Sequence, residues 1–501
     1  MKFNKLAIYI LTVVGLSFSA CQDFDELAVN PNAPTSAPAS LVFNGLCNDL
    51  NGLYSGAPWD DASQYAQYFC VNYEYYGNQN YGWTTTAFTY GSLYNIQKME
   101  EEAIKNGAKE VNPYAAIGRF MKAYFYTNMS LRLGDVPLNE AVKAQSGVFK
   151  PKYDTQKAVF KQSLTWLEEA NSQLTTLINA ADVSLSGDIY LGNDLRKWQR
   201  IVNTMRLRLL IQLSKKVTDA DLNVKGQFAD IVNNPTKYPI LTDINGSLQY
   251  TYNSINKYPT NPDNFGFDAT RNNMAKTYVD ILKDLKDARL FVTCEPTEVA
   301  IKAGKTAKDF DAYAGASTGE GLDVMSTNAL KGEYSFINRK RYYAGYTAEP
   351  GIIIGYVEMC FNIAEGIHLG WGAGNAEDWY NKGITASMKF FGADDATITA
   401  YLAQVKVKYS GNNAAGLTQI NTQKYIGFFQ NSGWEAFYNQ RRTGIPTFLV
   451  GPANVNSQRI PKRWQYPLSE RATNVENWTN ALKLQFESNV DDINNALWID
   501  K

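Results

Sequence analysis

The chain has 501 residues, with 48 basic against 49 acidic side chains and a formal net charge of −1. That balance supplies no positive field and argues against a nucleic-acid partner. A single histidine and five cysteines with no C-x-x-C pair exclude a zinc ribbon, a redox dithiol and any metal site needing two imidazoles; no EF-hand type calcium loop occurs, and no cofactor is expected.

At the N-terminus, Lys2 and Lys5 precede the uncharged run "LAIYILTVVGL" and the small residues Ser17, Ser19 and Ala20. This is the layout of a secretory signal over 1–20, with an apolar run too short for a permanent membrane span. Cys21 comes directly after it and resembles the acylated cysteine of a bacterial lipobox, although Phe18 stands where that pattern prefers Leu. A multiply acylated Cys21 would hold the protein on a membrane without a spanning helix; the alternative is an ordinary secretion signal beside an incidental thiol. Residues 21–40, including "AVNPNAPTSAPAS", read as an extended tether, and 41–501 as one domain. Cys47, Cys70, Cys294 and Cys360 remain. One or two disulfides, with Cys47–Cys70 nearest in sequence, and four free buried thiols are both open.

Helical periodicity dominates the chain beyond the tether. Phe160, Leu164, Leu167, Leu174 and Leu177 share one stripe, as do Trp198, Val202, Met205 and Leu209. Met274, Tyr278, Ile281 and Leu285 form a third stripe, and Tyr356, Cys360, Ile363 and Ile367 a fourth. Each predicts an amphipathic helix with one buried face. In "LGDVP" (133–137) Gly134 is placed for a left-handed helix cap and Pro137 stops continuation. No βαβ rhythm occurs. Long polar-aromatic stretches at 51–92, 245–272 and 310–350 separate the helices, and loops of that length usually carry function. The expected fold is therefore all-α, with large structured loops and little β-structure.

The chain carries 32 Tyr, 24 Phe and 10 Trp. The segment 71–94 packs Tyr73, Tyr75, Tyr76, Tyr81 and Trp83 among Asn72, Asn78, Gln79 and Asn80; the segment 332–346 adds Tyr334, Arg339, Arg341, Tyr342, Tyr343 and Tyr346. Rings offer stacking faces for sugars or peptide planes, and carboxamides both donate and accept hydrogen bonds. The expected ligand contacts are Tyr73, Tyr75, Tyr76, Asn78, Asn80, Tyr81, Trp83, Arg339, Tyr342 and Tyr343. The competing reading of each ring is cover for the scaffold's own apolar surface.

Catalytic signals are thin. "GASTG" (315–319) fits G-x-S-x-G, and His368 lies downstream of it, but "AKDFDAYA" stands where a buried strand should run. Asp60–Asp61 and Glu168–Glu169 could be imagined as glycosidase pairs, yet Glu168 and Glu169 lie on the polar side of a helix. A surface hydrolase using Ser317 and His368, or paired carboxylates, is the enzymatic alternative to a binding protein that performs no bond-breaking chemistry.

The chain resembles the SusD/RagB family of outer-membrane nutrient-binding lipoproteins of Bacteroidetes. The resemblance rests on the Cys21 start, "LRLGDVPLNEAV" (131–142), "RKWQRIVNTMRLRLL" (196–210), "ILKDLKDARL" (281–290), "YVEMCFNIAEGIHLGW" (356–371) and, above all, residues 422–470. This last stretch holds "TQKY", "GWEAF", "RRTGIP" and "IPKRWQYP" in order. Two departures are visible: Asp-Ala-Arg-Leu at 287–290 where Asp-Pro-Arg-Leu is frequent, and Ala-Glu-Gly at 364–366 for Ala-Glu-Ala. The resemblance implies a scaffold of tetratricopeptide-like helix pairs, lipidation of Cys21, and a place on the cell surface. It also implies a SusC-like TonB-dependent transporter as partner, over which the protein acts as a lid. Either oligosaccharides or oligopeptides fit as ligands. Trp198, Trp434 and Trp464 are expected in packing roles, and Arg441 and Arg442 in pairs with internal carboxylates.

Overall fold

The computed structural model describes residues 36–52 and 60–501. The signal 1–20, Cys21 and the tether up to residue 35 lie outside the described residues.

The helices that matter here are α1 (Ala39–Gly52), α2 (Asp61–Tyr65), α3 (Tyr90–Lys105), α4 (Pro113–Leu133), α5 (Gln156–Asn179) and α6 (Leu195–Gln212). They continue with α7 (Lys276–Asp284), α8 (Tyr356–His368), α9 (Ala376–Phe390), α10 (Ala414–Gly427), α11 (Glu435–Thr443) and α12 (Val475–Phe486). Their starts are written in the sequence. Asn112 accepts a hydrogen bond from the Ala115 N–H at 3.0 Å ahead of Pro113 in the first turn, and Asp194 accepts from the N–H groups of Arg196 and Lys197. Each cap satisfies donors the helix cannot.

Helices pack as pairs in chain order: α3 on α4, α4 on α5, α5 on α6, and later α8 on α9. These are the tetratricopeptide-like pairs of an all-α fold. The α5 stripe is buried along its length. Helix α6 is buried nearly all round, Arg206 and Arg208 included, because α5, α8 and α11 all cover it. Residues 39–501 form one compact unit.

Strands are short and tie loops together. Strand β1 (Phe69–Val71) pairs antiparallel with β3 (Asn272–Met274), and β2 (Leu248–Tyr250) with β4 (Gly351–Ile354). Met274, expected as the first position of a helical stripe, therefore belongs to β3. Its side of the ladder is buried against Phe69, and the helix begins only at Lys276.

Gly134 ends α4 with φ +96° and ψ −122°, which corrects the expectation of a left-handed cap. Glycine is still required, since φ +96° is a backbone conformation that strains any residue carrying a Cβ.

Buried ion pairs explain several of the motifs. Arg289 and Asp287, both essentially without solvent contact, form a paired fork, and Arg289 also donates to Ser387 and Gln423. Glu365 accepts from Arg442 and Lys424. Burial would raise the Glu365 carboxyl, but the two cations outweigh it and hold it below its ordinary range. Arg441 Nε lies 2.7 Å from Asp500, and Arg463 donates to Asp491. The expected internal pairing of Arg441 and Arg442 is what the structure shows. Gly366 has its own reason: a Cβ would enter the Phe228 ring at 2.1 Å. The four cysteines Cys47, Cys70, Cys294 and Cys360 are free and buried, so the disulfide alternative, Cys47–Cys70 included, is not realised. Burial pushes the thiols of Cys70, Cys294 and Cys360 up to about 12.

Candidate functional site

The β1–β3 ladder brings two of the long loops to one place. Beyond Val71 the pairing continues: the Asn72 N–H donates to the Arg271 carbonyl at 2.9 Å, and Asn72 Nδ2 donates to Thr270 O and Asn273 Oδ1. Tyr73 therefore lies beside Arg271, whose guanidinium carbon sits 4.3 Å from the ring centroid. The third loop joins through Tyr343, which donates to Asp268 Oδ1 at 2.5 Å and receives the Phe265 ring edge-on at 5.5 Å. Tyr346 O accepts from the Tyr258 N–H, and the Thr260 hydroxyl donates to Tyr342 O. Segments separated by about two hundred residues in sequence thus form one surface.

On that surface Tyr75 is 82% exposed, Phe267 72%, Phe265 47% and Tyr73 46%. Asn78 is exposed and Asn80 half-buried. Their carboxamides shape the loop: Asn78 Oδ1 accepts from the Asn80 N–H, and Asn80 Oδ1 from the Gly82 N–H. The side chain of Tyr76 lies outside the described residues.

Four expected ligand contacts need correcting. Trp83 is stacked on Trp464 at 3.8 Å and boxed by Tyr65, Trp434 and Phe437. Tyr81 is buried beneath the loop, its hydroxyl accepting from Gln67 and donating to the Tyr65 carbonyl. Tyr342 is fully buried over Tyr258, and Tyr343 is buried by its Asp268 bond. In all four the competing reading holds, because a ring that covers scaffold has no face left for ligand. Arg339 is partly exposed, but its Nε and Nη2 donate to Glu295, which absorbs its charge. Trp198, Trp434 and Trp464 serve packing as expected.

Sequence reasoning missed Arg271, Phe265 and Phe267. They fall in the long loop stretch 245–272, where "NFGFDATR" (264–271) carries two rings two residues apart beside an arginine. That signal points to a loop but not to its neighbour, Tyr73.

The hydrolase constellation is not assembled. Ser317 sits in a loop where Ala316 bridges Ala275 and Gly319 packs against Gly451 backbone, with no strand running into a helix. His368 Nδ1 instead meets the Tyr409 hydroxyl at 2.7 Å, and burial holds the imidazole below its ordinary pKa. Glu168 takes Arg206 and Tyr238, and Glu169 takes Arg119, which are scaffold roles. Among the described residues no group of three His, Cys, Asp or Glu side chains could hold a metal ion, and no helix is long and apolar enough to cross a membrane. Two surface grooves of about 520 and 540 Å³ lie between α7, α9 and α10 and between α9 and residues 242–244; neither is lined by an expected ligand residue.

Residues 31–467 match the SusD-like_2 family model, described as starch-binding associating with outer membrane. The chain belongs to this SusD-like family. A SusD homologue from Bacteroides fragilis superposes with a TM-score of 0.85 at 30% identity, covering 93% of this chain and 100% of that one. A second B. fragilis SusD homologue gives 0.81 at 29% identity with the same coverage. A chitin-binding SusD homologue from Flavobacterium johnsoniae gives 0.74 at 20% identity over 92% of this chain and 98% of that one, a likeness of fold. No curated protein matches the chain. SusD-like proteins are binding proteins associated with the outer membrane, and this protein's scaffold is theirs.

Proposed function

We propose that this protein is a cell-surface nutrient-binding lipoprotein, anchored through Cys21, that captures an oligosaccharide or oligopeptide and delivers it as a lid to a SusC-like TonB-dependent transporter. One observation carries the reading: three loops distant in sequence are fastened together so that Tyr73, Tyr75, Phe265 and Phe267 stay exposed while neighbouring rings are buried. Exposed large rings on a rigid support cost solvation free energy, and stacking against a ligand recovers it. The description of the family as starch-binding and the chitin-binding neighbour favour a saccharide over a peptide. The reading is of a site that binds without bond-breaking, and among the described residues no nucleophile, base and orienting group converge on it. Modest affinity suits the role, because a ligand held too tightly is not released to the transporter.

Titration calorimetry of the purified protein against a panel of oligosaccharides and a peptide digest tests this. Binding of one class without turnover is the expected result. Turnover abolished by Ser317→Ala would overturn it in favour of a hydrolase, and absence of any binding would leave a purely structural surface protein. Cys21→Ala is expected to release the protein from the membrane fraction; retention there would overturn the anchor.

A further inference from the structure

We propose that the ligand of this face is an acidic oligosaccharide, with the Arg271 guanidinium reading its carboxylate. This rests on the reading of the face as a glycan-binding surface and names the chemical class within it.

Most charges over the three converging loops are neutralised in pairs. Lys257 is paired with Asp263, Arg339 with Glu295, Arg341 with Glu349 and Lys276 with Asp280. Asp268, close by in sequence, is engaged by the Tyr343 hydroxyl. Arg271 is the exception among these arginines. It lies half-buried on Tyr73, and among the described residues no carboxylate is within ion-pair distance of it. Lys340 is also without an ion pair among the described residues, but it is a flexible point charge with no ring beneath it. Glu74 is exposed beside Tyr75 in sequence, which favours a ligand whose carboxylates are spaced apart over one charged along its whole length.

A guanidinium stacked on a ring is held in plane, with its N–H edge directed outward. That edge matches a carboxylate in a paired fork, an arrangement a hydroxyl cannot reproduce. A neutral ligand covering Tyr73 would strip water from an unpaired cation, which is unfavourable. A ligand presenting a carboxylate there replaces the lost water, while its sugar faces stack on Tyr75, Phe265 and Phe267. Exposed rings beside a single stacked cation suit alternating apolar sugar faces and carboxylates better than a peptide.

The experiment uses the full chain and titrates it with hyaluronan and unsulfated chondroitin fragments, with their methyl esters, with neutral oligosaccharides and with a glutamate-rich peptide. Arg271→Gln and Arg271→Lys are compared, with thermal melts confirming that each variant is folded. At least one acidic saccharide is expected to bind about tenfold more tightly than its ester, the gap closing in Arg271→Gln and partly persisting in Arg271→Lys. An ester that binds as well as its acid, or a gap that survives Arg271→Gln, overturns the proposal. Binding of a neutral glycan or the peptide, but of no acidic saccharide, overturns it while leaving the ligand-binding face intact. Binding of nothing overturns both.

Discussion

Two clusters of rings that both draw on the segment 71–94 have opposite fates. Around Trp83 the rings of Tyr65, Trp434, Phe437 and Trp464 close on one another and exclude water; ten residues earlier, Tyr73 and Tyr75 stand out from the surface. The difference lies in their partners. Trp83 meets side chains from the far C-terminal part of the chain, whereas Tyr73 meets the Arg271 guanidinium at the end of a short strand pair. Ring density in a sequence therefore marks a place where rings matter without saying which of them face outward.

The sharpest way to break this contrast is Trp83→Ala. Loss of a boxed ring is expected to cost about 3–5 kcal/mol, read from chemical denaturation; a loss below about 1 kcal/mol would return Trp83 to the ligand surface. The buried side of the molecule also holds a disfavoured carboxylate. Burial raises the Asp135 carboxyl from 3.8 to about 7, against the pull of its hydrogen bond from the Gln156 N–H. A carboxyl whose folded pKa is raised binds its proton more tightly when folded, so stability falls as pH climbs from 3.8 to about 7. Asp135→Asn, which keeps an acceptor without the charge, is expected to stabilise the protein above pH 7 by at most about 4 kcal/mol, at about 1.36 kcal/mol per pKa unit. The gain should vanish below pH 4, and paired melts at pH 4 and pH 8 check it.

On the exposed side, Tyr73→Ala is expected to weaken ligand binding by about 1–2 kcal/mol while changing stability by less than about 0.5 kcal/mol. A comparable loss in both would place Tyr73 with Trp83. The smallest effect concerns the thiols. Cys47, Cys70, Cys294 and Cys360 should all titrate as free thiols after denaturation and react slowly before it, with no shift in Tm on adding reductant; a shift would reveal a disulfide.

Much of the fold was legible because helical stripes are local. Those of α5, α6 and α8 can be read from one window each. The stripe over 274–285 misled at its first residue, since Met274 answers to a strand partner some two hundred positions away. The site was legible as segments but not as side chains. Tyr73 and Tyr75 stand exposed, while Tyr81, Trp83, Tyr342 and Tyr343 are turned inward. Nothing local distinguishes them, because the deciding contacts (Trp464 for Trp83, Tyr258 for Tyr342, Asp268 for Tyr343) come from elsewhere in the chain. Arg271 escaped notice for the same reason, as its meaning depends on Tyr73.

The stacking of Trp83 on Trp464 has a consequence for biogenesis. Two halves of one aromatic box are made nearly four hundred residues apart, so the early helix pairs can form before the later chain has been made. The Trp83 box cannot close until the last tenth of the polypeptide arrives. Loss of the residues from Trp464 onward would then leave a chain rich in helix with that box open on one side.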